Sequence, residues 1–541
     1  MSALPTRSPD HVRQAWREAR QGRELALLDL REEDPYAQSH PLFAVNLPLG
    51  LIELQALSRM PRLDVEIVLY GEGAFDAQLI PRAAARLTAL GYTNIAQLEG
   101  GLPGWAAAGG ELFRDVNVPS KAFGELVEAQ AHTPSLTAQQ VQALLDQQDD
   151  MVVLDARCFD EYQTMSIPSG ISVPGAELVL RARDLAPDPS TRIIVNCAGR
   201  TRSLIGAQSL INAGLPNPVA ALRNGTIGWT LAGQTLEHGQ ARRAGPVSDT
   251  TRALAKTSAQ ALARRAGVRF APLAQRAELH DARRSVHWLD VRTPEEYQAG
   301  HLAGFASAPG GQLVQETDHH VAVRGARLVL LDDDGVRAPM TASWLAQLGW
   351  EVWVLEADAA MNWNETGPER IPLPPLPEVA QVQAEELAQW LGQNDAATCV
   401  IDLAPSAAYV KQHIPGSWWA VSSQLEQALQ SLPTCARLVL CCTDGSRSRF
   451  AAAHLSRAIK TPVFWLAGGL QAWQAKGLPI EADATRLASA CTDRYRRPYE
   501  GTSNAVEAMQ AYLDWEFGLV AQLERDGTHG FAVLTRESRP C

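Results

Sequence analysis

A chain of 541 residues is too long for a single hydrophobic core, so three or four domains are expected. Hydrophobic residues at 46% and charged residues at 20% exclude wholesale disorder, and a formal net charge of -12 excludes a broad nucleic-acid or anionic-membrane footprint. No stretch approaches the ~20 apolar residues of a membrane span and the polar N-terminus lacks a secretory core, so a cytoplasmic protein with no nucleic-acid and no membrane partner is expected.

Taken in chain order, one plan occurs four times. The first copy (10–115) opens on the apolar strand LALLDLR ending at Asp29. A second apolar run, EIVLYGEGAFDA, follows, and the tag LEGGLPGW closes the copy at Trp105. After a connector at 116–134, the second copy (134–235) repeats these landmarks as MVVLDAR to Asp155, RIIVNCAGRTRSLIGAQSL, and LRNGTIGW to Trp229. An Ala/Arg-rich connector (233–266) leads to the third copy (268–368), with VHWLDVR to Asp290, RLVLLDDDGVRAPMTASWL and Trp363. The Pro-rich IPLPPLPEV precedes the fourth (380–482), with CVIDLA to Asp402, RLVLCCTDGSRSRFAAAHL and LAGGLQAW to Trp473. Short apolar strands alternating with amphipathic helices predict an α/β domain in each copy, a parallel sheet with helices on both faces. The first and third copies are expected to pair with the copies that follow them. In the extension 484–541, Val506, Met509, Leu513, Phe517 and Val520 recur at helical spacing, which predicts a helix packed on the last domain.

The second apolar run of each copy ends at the carboxyl edge of its sheet, where α/β chemistry is usually found. There the second copy reads Cys197, Ala198, Gly199, Arg200, Thr201, Arg202, Ser203. The fourth reads Cys442, Thr443, Asp444, Gly445, Ser446, Arg447, Ser448. A cysteine between a strand and a helix N-terminus is placed for thiolate stabilisation by curled backbone N–H groups, and an arginine five positions on can hold an anion. At the cysteine position the first copy has Gly71 and the third Asp332, and the first has Asp76 at the arginine position. Neither side chain can supply a thiolate, so both copies are read as inactive units that pack against an active partner or shape its mouth.

These strands, loops and tags resemble the rhodanese family over residues 15 to 480. The resemblance implies sulfurtransferase activity. Cys197 and Cys442 would take sulfane sulfur from a small donor such as thiosulfate as a persulfide and pass it to cyanide, a thiol or a protein, with no metal or other cofactor. Arg200 and Arg202 suit a dianion, whereas Asp444 repels one, so thiosulfate is expected to load Cys197 in preference to Cys442. A phosphatase or arsenate reductase of the same fold is disfavoured, since its loop has five residues between Cys and Arg where these loops have four. A non-catalytic persulfide carrier or interaction scaffold is the alternative from another class.

Other signals read as structural. Asp155, Arg157 and Glu161, repeated as Asp290, Arg292 and Glu296, form a network at a strand end, from which the fourth copy lacks the arginine at Ala404. His301 and His413 read as turn residues, as does Ser166 in the second copy. Cys441 reads as a core thiol, because neighbours on a strand point to opposite faces. None of the eight cysteines lies in a CxxC pair, and His319 with His320 lacks further ligand spacing, so no metal is expected.

Overall fold

The structure is a computed structural model that describes residues 4–357, 361, 363–393 and 397–535. It contains four five-stranded sheets in which every strand pair is parallel, each with strand order 1-5-4-2-3 in its own chain order. In the second repeat these strands are Ser135–Leu136, Met151–Asp155, Ile171–Ser172, Arg192–Asn196 and Val219–Leu222. Alternate residues face opposite ways, which explains the continuous apolar runs. Leu154, Ile193 and Val195 join one core with the helices Leu178–Leu185 and Thr201–Asn212, while Val153, Ile194 and Leu222 join another with Val141 and Trp229. Among the described residues, no helix is long and apolar enough to cross a membrane.

Strand register sets Asp155 opposite Asn196, the residue before Cys197, and Asp402 opposite Cys441, the residue before Cys442. The strand-end aspartates therefore stand beside the cysteine loops, and their partners show a structural role. Arg157 donates from Nε and Nη2 to Asp155 at 2.9 and 2.7 Å, and from Nη2 to the Met165 carbonyl at 2.6 Å. Arg31 and Arg292 do the same with Asp29 and Asp290. The histidines are turn residues: Nδ1 of His301 and of His413 contacts the carbonyl of Tyr297 and of Tyr409 at 2.9 and 2.8 Å, and each ring stacks on that tyrosine.

The fourth repeat lacks this arginine, and its aspartate is poorly compensated. Asp402 Oδ1 accepts from the Ala404 amide at 2.8 Å, but Oδ2 is buried without a partner, and burial pushes the carboxyl up to about 6. A carboxyl raised on folding above its usual value near 4 takes up a proton, so its ionised form costs stability as pH rises through that window. Asp402→Asn is expected to stabilise the protein by about 1–2 kcal/mol at pH 7.5, with the gain shrinking towards pH 4. Denaturant melts at the two pH values check this; a loss of stability at pH 7.5 would refute it.

The repeats do not pair in chain order. Repeats two and three meet through the same segment of each: a Cβ on Gly310 would touch Ala176 at 2.9 Å, and Arg337 lies 3.6 Å from Glu177. Repeats one and four meet through the equivalent segments, where a Cβ on Gly50 would touch Ser422 at 2.7 Å and His454 contacts Glu53 at 2.6 Å. The expected pairing of one with two and three with four is thus corrected. What joins one to two is the connector helix Val118–Ala131, packed against Thr201–Asn212.

The C-terminal extension also departs from expectation, since it straps all four repeats. Ala488 bonds Trp419 of the fourth, Thr492 accepts from Asp34 of the first, Met509 and Leu513 pack on Ile227 of the second, and Ala532 bonds Gln347 of the third. Its helix Val506–Phe517 buries Met509, Tyr512, Leu513 and Glu516 and leaves Val506 and Phe517 exposed. It therefore packs on the second repeat and the connector helix and not on the last domain.

Candidate active site

Both cysteines sit where the sequence places them, at the end of a strand and before a helix. Cys197 follows Arg192–Asn196 and precedes Thr201–Asn212, and its thiol contacts Ser203 Oγ at 3.4 Å. Cys442 follows Arg437–Cys441 and precedes Ser446–Ala458, and its sulfur accepts from the Ser448 amide at 3.4 Å and contacts Ser448 Oγ at 3.5 Å. Each serine hydroxyl donates in turn to a loop carbonyl, of Arg200 or of Gly445, which pins it beneath the sulfur. Gly445 has φ +89, a left-handed turn that starts the helix.

The closing tag has a physical role at these loops. Its amides at Thr226 and Leu470 donate to the carbonyls of Cys197 and Cys442 at 2.9 and 2.8 Å. A Cβ on Gly225 or Gly469 would lie 2.2 Å from the same carbonyl oxygen, so only glycine permits this approach. The tag holds each cysteine from behind.

Burial pushes both thiols above their ordinary range, against the expected thiolate. Arg202 and Ser203 oppose this at Cys197; Ser448 opposes it at Cys442, where Asp444 adds to the rise. Asp444 Oδ1 accepts from the Ser446 amide and hydroxyl at 3.0 and 2.7 Å and lies 3.7 Å from the Cys442 sulfur.

The arginines reverse the expected charge balance. Arg200 is 3% exposed and spent on carboxylates, with Glu125 at 2.6 and 2.9 Å, Glu128 beside it, Asn224 at 3.0 Å and the Phe517 ring 4.2 Å above. Arg202 forms a two-bond pair with Glu161 at 2.6 and 2.7 Å. Arg447 only donates to the Leu403 carbonyl at 3.0 Å, because Ala408 stands where the second and third repeats have Glu161 and Glu296. Arg447 borders a cavity of about 100 Å³ between repeats one and four, together with Glu32, Trp419 and Asp493. Burial pushes Glu32 up to about 7, with Arg447 and Ser423 opposing.

The loops also differ in cover. Ala198, Gly199, Arg200 and Thr201 are all buried, whereas Thr443 and Asp444 are exposed and Ser446 and Arg447 half-buried. The occluding group at the second loop is the strap helix, unforeseen from sequence.

In the other two repeats a carboxylate occupies the loop. Asp332 accepts from the amides of Gly335, Val336 and Ala338 at 3.0, 3.0 and 2.8 Å, and Arg337 binds Asp334, Asp333 and Glu296. Burial and the neighbouring Asp334 charge push Asp332 up, while Arg337 holds Asp334 down. In the first repeat Asp76 accepts from the amides of Glu72 and Gly73 at 3.1 and 3.2 Å. Loop amides in both are thus satisfied internally, and neither loop has a cysteine.

A rhodanese-like domain model matches residues 12–108, 137–232, 274–360 and 383–476. The crystal structure of a thiosulfate sulfurtransferase from Pseudomonas aeruginosa is similar over 98% of this chain and 100% of that chain, with 60% identity and a TM-score of 0.95. A rhodanese-like domain protein from Staphylococcus aureus is 18% identical over 20% of this chain and 100% of its own, with a TM-score of 0.18. A rhodanese-related protein from Thermoplasma volcanium is 22% identical over 19% of this chain and 99% of its own, with the same TM-score. No curated protein sequence matches the chain.

Proposed function

The chain belongs to the rhodanese family of sulfurtransferases, and from that premise we propose that it moves sulfane sulfur from thiosulfate, through a persulfide on Cys442, to a thiol, protein or cyanide acceptor. The observation that carries this reading is the pairing of a Ser448-cradled sulfur with an exposed loop lip and with Arg447, which makes no ion pair among the described residues. The Cys442 thiol first releases its proton to solvent. Its thiolate then attacks the outer sulfur of thiosulfate, a new S–S bond forms, and the old one breaks with its electron pair leaving on sulfite. The persulfide anion remains near the Ser448 amide and hydroxyl. Attack by cyanide on its outer sulfur gives thiocyanate and returns the thiolate.

Repeat one supports this site from outside by lining the cavity on which Arg447 lies. Arginine at that point offers a charge-assisted contact to the sulfonate end of the donor. Mass spectrometry of the intact protein after thiosulfate treatment tests the reading. One added sulfur, lost again on cyanide addition with thiocyanate released, is expected. Sulfur that loads but is not turned over to any acceptor would favour the carrier alternative, and no loading would overturn the proposal.

A further inference from the structure

The strap helix Val506–Phe517 lies directly on the Cys197 loop. A Cβ built on Gly199 would sit 3.2 Å from the Tyr512 ring and 3.4 Å from Glu516 Oε2, which is ordinary or tighter contact across that face. Glu516 is fully buried. Its Oε1 accepts from the Tyr512 hydroxyl at 2.7 Å, and its Oε2 has no hydrogen-bond partner among the described residues. Phe517 covers the Arg200 guanidinium, and the helix is held by a cluster of Ile227, Met509, Tyr512 and Leu513 with Leu231, Tyr499 and Trp515 at its margin, and by Lys121 over the Tyr512 and Trp515 rings. A satellite cluster of this size, separate from the main cores, is the kind of contact that opens locally before the domain unfolds.

We propose that helix Val506–Phe517 is a lid on the Cys197 loop, with Tyr512 and Glu516 as its contact residues, so that Cys197 meets small reagents only when the helix lifts, while the Cys442 loop, uncovered at Thr443 and Asp444, needs no such step. This deepens the assignment of donor loading to Cys442. Thiol alkylation reads access and thiolate fraction but needs no sulfur donor or acceptor, so the lid stands or fails apart from sulfur transfer.

The surroundings of Glu516 give the lid a pH dependence. Tyr512 faces it from its own helix, Lys121 and Glu125 from Val118–Ala131, and Arg200 and Cys197 from the loop. Burial first and then the Glu125 charge push its carboxyl up to about 8, with Lys121, Tyr512 and Arg200 opposing. The closed lid therefore holds a proton that an open, solvated Glu516 would release above about pH 4.5. Between that value and about 8, closure weakens by up to roughly tenfold per pH unit.

The test is iodoacetamide labelling of the folded full-length protein, with the rate at each cysteine followed by peptide mass spectrometry. At pH 6.5 Cys197 is expected to react at least about tenfold more slowly than Cys442, with the gap narrowing as pH rises. Glu516→Gln, neutral at every pH, should remove that narrowing. Tyr512→Ala should speed Cys197 by about tenfold or more without moving Cys442. Equal rates in the unaltered protein at pH 6.5 would overturn the lid, as would an unchanged Cys197 rate in Tyr512→Ala. Should Tyr512→Ala disturb Cys442 as well, Glu516→Gln decides: a pH dependence identical to the parent's removes Glu516 from the contact and refutes the proposal.

Discussion

Replacing Cys442 by serine is expected to lower thiosulfate-dependent sulfur transfer to cyanide by at least about a hundredfold, while Cys197→Ser keeps most of it. The charge pattern of the two loops in sequence favours the opposite outcome, because two arginines flank Cys197 and an aspartate follows Cys442 by two positions. The proposed ranking is the reverse, and it rests on the side-chain partners. Arg200 is neutralised by Glu125 and Glu128 and Arg202 by Glu161, so the second loop presents no free cation, and its surface lies under Tyr512 and Glu516. Asp444 is turned to the Ser446 amide and hydroxyl, and Arg447 keeps its charge uncompensated by any ion pair among the described residues. Because burial holds the Cys442 thiol above its ordinary range, the thiolate fraction, and with it the loading rate, should climb with pH through the neutral region. Steady-state thiocyanate formation by the two single variants checks the ranking. Equal losses, or a larger loss for Cys197→Ser, would show that thiosulfate reaches the covered loop and would return the donor site to the second repeat.

The four-fold plan was legible because its landmarks are local. A strand ending in aspartate, a cysteine turn and a glycine tag each lie within a few residues, and the fold needs each for a nearby contact, such as the tag glycine against the cysteine carbonyl. The features that rank the two sites are set by distant residues and were not legible. Glu125 precedes Arg200 by 75 positions, and Glu516 reaches Gly199 from the far end of the chain. One local signal does bear on the ranking. Glu161 and Glu296, the partners of Arg202 and Arg337, each stand six positions after the strand-end aspartate and just before a tyrosine, where the fourth repeat has Ala408 before Tyr409. Treating that glutamate as the arginine's partner would have marked Arg447 as the free one. The strap helix was misassigned because helical spacing identifies an apolar stripe without saying what covers it. Tyr512 and Glu516, which make the decisive contacts, are not part of the aliphatic pattern.

Arg157→Ala is expected to cost about 3–5 kcal/mol of stability, because it leaves a buried carboxylate without its counter-ion. Arg157 and Asp155 are 2% and 1% exposed, and the guanidinium also ties the strand end to the Met165 carbonyl. After truncation Asp155 keeps only the Arg157-position amide and the Asn196 side chain at 2.8 Å as donors. The fourth repeat shows the natural form of this change. With Ala404 at the arginine position, the buried Trp419 on the neighbouring strand donates from Nε1 to the Ala404 carbonyl at 2.8 Å, yet one Asp402 oxygen lacks a partner among the described residues and the carboxyl rises to about 6. The second repeat has the small Ser172 at the corresponding strand position. An ionised carboxylate buried without its counter-ion is costly, so the destabilisation is greatest where that carboxyl is ionised and shrinks as acid neutralises it. Denaturant melts at pH 7.5 and pH 5 measure both quantities, and adding Asp155→Asn to the variant should restore part of the loss at pH 7.5. A pH-independent loss below about 1 kcal/mol would mean that water or a neighbouring donor replaces the guanidinium, and that the repeated aspartate–arginine pair is not what holds the strand ends beneath the cysteine loops.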